Sequence, residues 1–143
     1  NVLGSCYGTT GPSTVDAATG RPYALRFPLV TIRDMVEVQA RLLSALGVQR
    51  LLCVAGGSMG GMQALQWLAS YPNRVDAVLV SASCLRHTAM QIAFNEVGRR
   101  AITSDPYWND GDYYAGPPPG KEYHGVEYGL FEPFVLKQEL KKQ

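Results

Sequence analysis

Two short runs along the chain are apolar without interruption, and the segments between and around them repeat apolar residues at helical spacing. Leu51-Leu52-Cys53-Val54-Ala55 lies between Arg50 and a cluster of glycines, the pattern of a parallel strand buried on both faces. Ala77-Val78-Leu79-Val80-Ser81 repeats that texture. Between them Met62, Leu65, Gln66, Leu68 and Ala69 recur at helical intervals until Tyr71-Pro72, which predicts a strand-helix-strand unit.

Upstream, Thr31 stands three residues before Asp34, apolar positions follow at Met35, Val36, Leu42, Leu43 and Leu46, and Gly47 comes next. A capped amphipathic helix with a glycine stop is expected. Downstream, Ile92, Ala93, Val97 and Ala101 predict a helix between His87 and Thr103, weakened by Gly98 and ended by Asp105-Pro106. Val2-Leu3-Gly4 reads as the end of a strand, and residues 4–20, rich in glycine, serine and threonine, read as a long loop. The order of elements predicts an α/β fold, an open and mostly parallel sheet with helices on both faces.

The texture changes after Asp105. Residues 107–114 are aromatic and acidic, and Gly116-Pro117-Pro118-Pro119-Gly120 cannot lie inside a helix or a central strand. Residues 121–143 hold one short apolar patch and a charged end, and are expected to be weakly structured or foreign to what precedes them.

Composition narrows the function classes. With 46% hydrophobic and 17% charged residues the 143-residue chain is of ordinary globular character, and a net charge of +1 gives no basic field for nucleic acid or an anionic membrane. Neither partner is expected. Nothing resembles a membrane span or an export signal, and Cys6, Cys53 and Cys84 are odd in number and widely spaced, so a soluble protein of the reducing cytoplasm is expected. The first residue is Asn1 rather than Met, which suggests a missing upstream segment.

Gly56-Gly57-Ser58-Met59-Gly60-Gly61 carries the chemistry. It holds the Gly-x-Ser-x-Gly spacing of a nucleophile elbow, after an expected strand and before an expected helix. The turn is tight enough that the residues two before and two after the serine are expected to need no side chain. Ser58 would then stand exposed at the strand's carboxyl end as the nucleophile. The backbone N–H of Met59, at the amino end of the helix, would be the first oxyanion donor. A phosphate-binding glycine loop is the competing reading, and it lacks both a following Gly-Lys-Ser/Thr and the three-glycine dinucleotide pattern.

A serine nucleophile needs a base, and the chain has two histidines. His87 follows the second strand and reads more readily as a local polar contact than as the base. His124, with Asp112 before it, gives a formal Ser, Asp, His order with no strand between to hold them. Tyr107, Trp108, Tyr113 and Tyr114 could form part of a substrate cover, but such residues more often serve as packing.

Several longer segments share one resemblance. Residues 1–12 (NVLGSCYGTTGP), residues 27–35 (FPLVTIRDM), residues 56–65 around Ser58, residues 92–102 (IAFNEVGRRAI) and residues 105–114 (DPYWNDGDYY) are similar, in the same order, to homoserine O-acetyltransferases. The resemblance runs from Asn1 to about Gly120. It implies an α/β-hydrolase-type core over residues 1–104 and the start of a helical lid over residues 105–120, with residues 121–143 outside the family pattern. It also implies double displacement: Ser58 takes acetyl from acetyl-CoA and passes it to the side-chain hydroxyl of homoserine, on the way to methionine. No metal or bound cofactor is expected, acetyl-CoA being a co-substrate, and a homodimer is what the family suggests.

The family's second oxyanion donor would lie upstream of Asn1. Its catalytic Asp and His, and its carboxylate-binding arginine, would lie beyond the match. A fragment is therefore expected, nearly inactive alone. Alternatives at this stage are a serine O-acyltransferase, a succinyl-CoA-dependent homologue, an esterase, and a non-catalytic truncated module.

Overall fold

The computed structural model describes residues 2–5 and 8–114. In chain order the elements are β1 (Val15–Asp16), β2 (Arg21–Pro22), α1 (Ile32–Ala45), β3 (Val54–Gly57), α2 (Met59–Ser70), β4 (Val78–Ser81) and α3 (Ala89–Thr103), with 3-10 turns at Ala24–Arg26, Pro72–Arg74 and Pro106–Gly111. Among the described residues they fall into two compact units, residues 31–87 and residues 2–30 with 88–114. Among the described residues no helix is long and apolar enough to cross a membrane.

The unit of residues 31–87 is the expected strand-helix-strand with a helix before it. α1 begins with a full capping box: the Asp34 amide donates to Thr31 Oγ1 at 3.2 Å, and the Thr31 amide donates to Asp34 Oδ2 at 2.7 Å. The Thr31 amide, and after it the Thr31 hydroxyl donating to the same Oδ2, hold the Asp34 carboxyl below its ordinary pKa. At the other end Gly47 takes φ +77, and the Gly47 and Val48 amides donate to the Ser44 and Leu43 carbonyls at 3.0 and 2.8 Å. That double closure stops the helix.

β3 and β4 pair in parallel, Val54 opposite Val78 through Gly57 opposite Ser81, with an isolated bridge from Leu51 to Val75. The strand thus begins later than the apolar run and extends through both glycines. α2 packs on both strands and α1 packs on α2. Val36, Ala40, Trp67 and Val75 form the core of the unit, joined by Leu43, Leu51, Val54, Tyr71 and Val78. Arg74 completes the join, its guanidinium 5.9 and 5.8 Å from the Trp67 and Tyr71 rings while donating to the Val48 and Gln49 carbonyls at 2.9 and 3.0 Å.

The expectation of strands buried on both faces is corrected here. Because side chains alternate along a strand, Val54 and Val78 turn toward the helices while Ala55 and Leu79 turn away, Leu79 being 64% exposed. Leu52 is 82% exposed and Cys53 is exposed too, both lying between the Leu51 bridge and the ladder. The helix faces are corrected as well. α1 buries Met35, Val36 and Ala40 and leaves Leu42 and Leu46 exposed. α2 buries Gly61, Gln63, Ala64 and Trp67 rather than the Met62, Leu65, Leu68 face. Gly61 lets α2 approach the strand side closely, a Cβ there lying 3.1 Å from Val80 Cγ1.

In the other unit, Val2–Gly4 is a turn rather than the end of a strand, closed by the Ser5 amide on the Val2 carbonyl at 3.1 Å with Gly4 at φ +86. The expected long loop contains a small hairpin, β1 against β2, turned by Asp16 and Gly20. α3 starts two residues later than His87, where Thr88 and Gln91 form a capping box. Its buried residues are Gly98, Arg99 and Ile102, while Ile92 and Val97 are exposed. Gly98 is therefore a packing position inside the helix rather than a break. The expected breaker cluster and residues 121–143 lie outside the described residues.

Candidate active site

Ser58 occupies the single residue between β3 and α2, with φ +53 and ψ −122. This left-handed backbone is costly for any residue with a side chain and persists where the surroundings impose it. The surroundings here are two close approaches. A Cβ on Gly56 would lie 2.1 Å from the Gly60 carbonyl oxygen, so the end of the strand presses on the first turn of the helix. A Cβ on Gly61 would lie 2.5 Å from Ser83 Cβ, so the helix also presses on the segment after β4.

The second approach differs from the sequence expectation. Gly60, two residues after the serine, faces open space, with nothing within 4 Å of a Cβ placed there. The steric demand falls on Gly61 instead, through contact with a residue remote in sequence.

Hydrogen bonds fix the turn. The Ser58 amide donates to the Ser81 carbonyl at 3.0 Å, extending the parallel ladder to the turn residue itself. The Ser58 carbonyl accepts from the Gly61 and Met62 amides at 3.0 and 3.3 Å. Among the described residues the amides of Met59 and Gly60 then have no acceptor, leaving two donors at the amino end of a twelve-residue helix. Ser58 is exposed, and its hydroxyl does not cap the helix. An exposed hydroxyl beside unpaired N–H groups and the positive end of a helix dipole suits attack on an acyl carbonyl and stabilisation of the resulting oxyanion.

A buried polar chain backs the turn. Trp67 Nε1 donates to Gln39 Oε1 at 2.7 Å, Gln39 Nε2 donates to Gln63 Oε1 at 2.6 Å, and Gln63 Nε2 reaches the Met59 carbonyl at 3.5 Å. Neither glutamine was singled out by the sequence pattern, since a glutamine within an apolar period reads as surface.

His87 is exposed on the rim of a groove of about 280 Å³ lined by Met62, Leu65, Cys84, Leu85 and Arg86 among others, and it makes no hydrogen bond to Ser58. Asp112 belongs to the other unit, where its carbonyl accepts from Asn109 Nδ2 at 2.8 Å. His124 and Cys6 lie outside the described residues. Trp108, Tyr113 and Tyr114 pack on one another, with ring centroids 5.6 and 4.7 Å apart, whereas Tyr107, expected to pack as well, is 55% exposed. Among the described residues no three His, Cys, Asp or Glu side chains gather to hold a metal ion.

The geometry agrees with what comparison finds. The alpha/beta hydrolase fold family matches residues 1–124. The chain belongs to that family. Within the α/β-hydrolase fold, the chain is similar to the homoserine O-acetyltransferase of Solidesulfovibrio magneticus, 55% identical over 129 residues that make up 90% of this chain and 32% of that protein. The crystal structure of the homoserine O-acetyltransferase from Bacillus anthracis superposes with a TM-score of 0.70 at 29% identity, covering 94% of this chain and 33% of that one. Esterase E22 superposes with a TM-score of 0.69 at 44% identity, covering 73% of this chain and 28% of its own. The chain thus spans about a third of the length of the curated relatives it matches.

Proposed function

We propose that this chain is the nucleophile-bearing portion of a homoserine O-acetyltransferase. The observation that carries the reading is Ser58 held at positive φ in the turn between β3 and α2, beside the free Met59 amide, in a chain whose curated relatives bear that name.

In this reading Ser58 Oγ attacks the thioester carbonyl of acetyl-CoA while its proton passes to a base outside the described residues. The Met59 N–H, with Gly60 beside it, receives the oxyanion. Collapse of the tetrahedral intermediate breaks the C–S bond, releases CoA and leaves acetyl on Ser58. The hydroxyl of homoserine then attacks the acetyl-enzyme, giving O-acetylhomoserine and restoring Ser58. The chemistry uses a hydroxyl, amide donors and a base, so acetyl-CoA enters as co-substrate and no metal or prosthetic group belongs to the proposal. The reading places the protein in the cytoplasm, on the path to methionine, acting on small molecules as a homodimer.

The similarity to esterase E22 favours a second reading, in which water rather than homoserine attacks the acyl-enzyme. Incubating the full-length polypeptide with acetyl-CoA, with and without homoserine, separates the two. Acetyl transfer that requires homoserine supports the transferase, and equal CoA release in its absence supports the hydrolase.

A further inference from the structure

Gln63 is 7% exposed, a neutral amide buried on the face of α2 where Ala64 and Trp67 pack. Such a group is costly to bury unless its donors and acceptor are used, and the polarity of its partners is forced. The indole N–H of Trp67 can only donate, so the atom of Gln39 facing it must be the carbonyl oxygen. The Gln39 amide nitrogen then faces Gln63 and donates to Gln63 Oε1. The Gln63 amide nitrogen is left pointing to the start of α2, where the acceptor within reach is the Met59 carbonyl.

The position of that carbonyl gives the chain its use. Two peptide planes present the free amides beside Ser58. The plane carrying the Met59 N–H is held through the Ser58 carbonyl, which accepts from Gly61 and Met62. The next plane, between Met59 and Gly60, is held in the helix through the Met59 carbonyl, the i−4 acceptor of the Gln63 backbone amide, while open space surrounds its glycine. The Gln63 side chain reaches the same carbonyl oxygen.

We propose that Gln63 is a positioning residue for acyl transfer: held by Gln39, its side chain adds a donor to the Met59 carbonyl beside the helical bond and so aims the Gly60 amide at the oxyanion formed on Ser58. This rests on the reading that Ser58 is acylated. Gln63 touches no substrate in this role. It sets the direction of groups that do.

The test compares three variants of the full-length polypeptide by single-turnover acetylation with acetyl-CoA, by KM for acetyl-CoA and by thermal unfolding. Gln63→Leu removes the reach to Met59. Gln39→Glu keeps an acceptor for Trp67 but offers no donor to Gln63, so the Gln63 amide turns round and presents its oxygen to the Met59 carbonyl. Tyr71→Phe, at the far end of α2, removes the Tyr71–Glu37 hydrogen bond and serves as a control for lost stability without lost alignment. Gln63→Leu and Gln39→Glu are each expected to slow acetylation about tenfold with KM changed by less than about twofold, because a misaimed donor acts on the transition state. Tyr71→Phe is expected to leave the acetylation rate within about twofold.

Should Gln63→Leu not fold, Gln39→Glu carries the same test. Acetylation rates in the glutamine variants that match Tyr71→Phe at equal stability would show a purely structural role and overturn the proposal. Absence of acetyl on Ser58 in the unmodified polypeptide would overturn the acyl-transfer reading itself, and this role with it, an outcome distinct from the first.

Discussion

A methyl group on Gly56 would lie 2.1 Å from the carbonyl oxygen of Gly60, closer than any side-chain carbon can approach. The strand and the helix therefore meet through backbone alone, and Ser58 is lifted between them. Gly56→Ala is expected to destabilise the 31–87 unit by at least about 3 kcal/mol. Gly60→Ala, facing open space, should stay within about 1 kcal/mol of the parent. Urea unfolding of the two variants checks the contrast.

Gly61 and Ser83 form a second close pair, with 2.5 Å from a Cβ on Gly61 to Ser83 Cβ and 2.8 Å to Ser83 Oγ. The Ser83 hydroxyl oxygen is itself buried without a hydrogen-bond partner among the described residues. Gly61→Ala should cost about 2 kcal/mol, and adding Ser83→Gly should recover about half of it. A double-mutant cycle reads the coupling directly, and additive losses would place the constraint elsewhere.

The backbone of Ser58 at φ +53 costs stability that glycine would not pay. Ser58→Gly is expected to raise unfolding free energy by about 1 kcal/mol, whereas Ser58→Ala keeps the strain and should change it little. Both lose the hydroxyl, so a gain in stability accompanied by loss of acyl labelling would mark the turn as strained for chemistry rather than for folding.

Glu37 gives an acid-side prediction. The Tyr71 hydroxyl, and after it Arg41, hold its carboxyl below the ordinary value of 4.5. A depressed folded pKa means that its contribution is fully present above the unfolded value and is lost as pH falls through the folded one. Stability should therefore decline as pH drops below about 4.5, and Tyr71→Phe should make that decline shallower. Melting temperatures measured from neutral to acid pH for both proteins give the comparison.

What the sequence revealed and what it hid divide along local and non-local lines. The Thr31–Asp34 cap, the Gly47 stop and the tight turn at Ser58 depend on neighbours a few positions away, so their patterns stand in the sequence. The demand on Gly61 comes from Ser83, and the burial of Gln63 comes from Gln39 on another helix, so neither shows in spacing. Leu42, Leu46 and Leu68 match the helical period yet are exposed in this chain, while Ala40, Gly61 and Ala64 are buried. The β1–β2 hairpin was hidden for another reason: two-residue strands have no period to detect. The family relation was readable because several ordered segments carry it, which the elbow spacing alone would not.

The central claim, that Ser58 carries acetyl between two substrates, is tested most directly by peptide-level mass analysis of the full-length polypeptide quenched during reaction with acetyl-CoA. One acetyl group is expected on the peptide containing Ser58, discharged on adding homoserine and absent from Ser58→Ala. Acetyl found on another residue, or labelling and turnover that persist in Ser58→Ala, would contradict it.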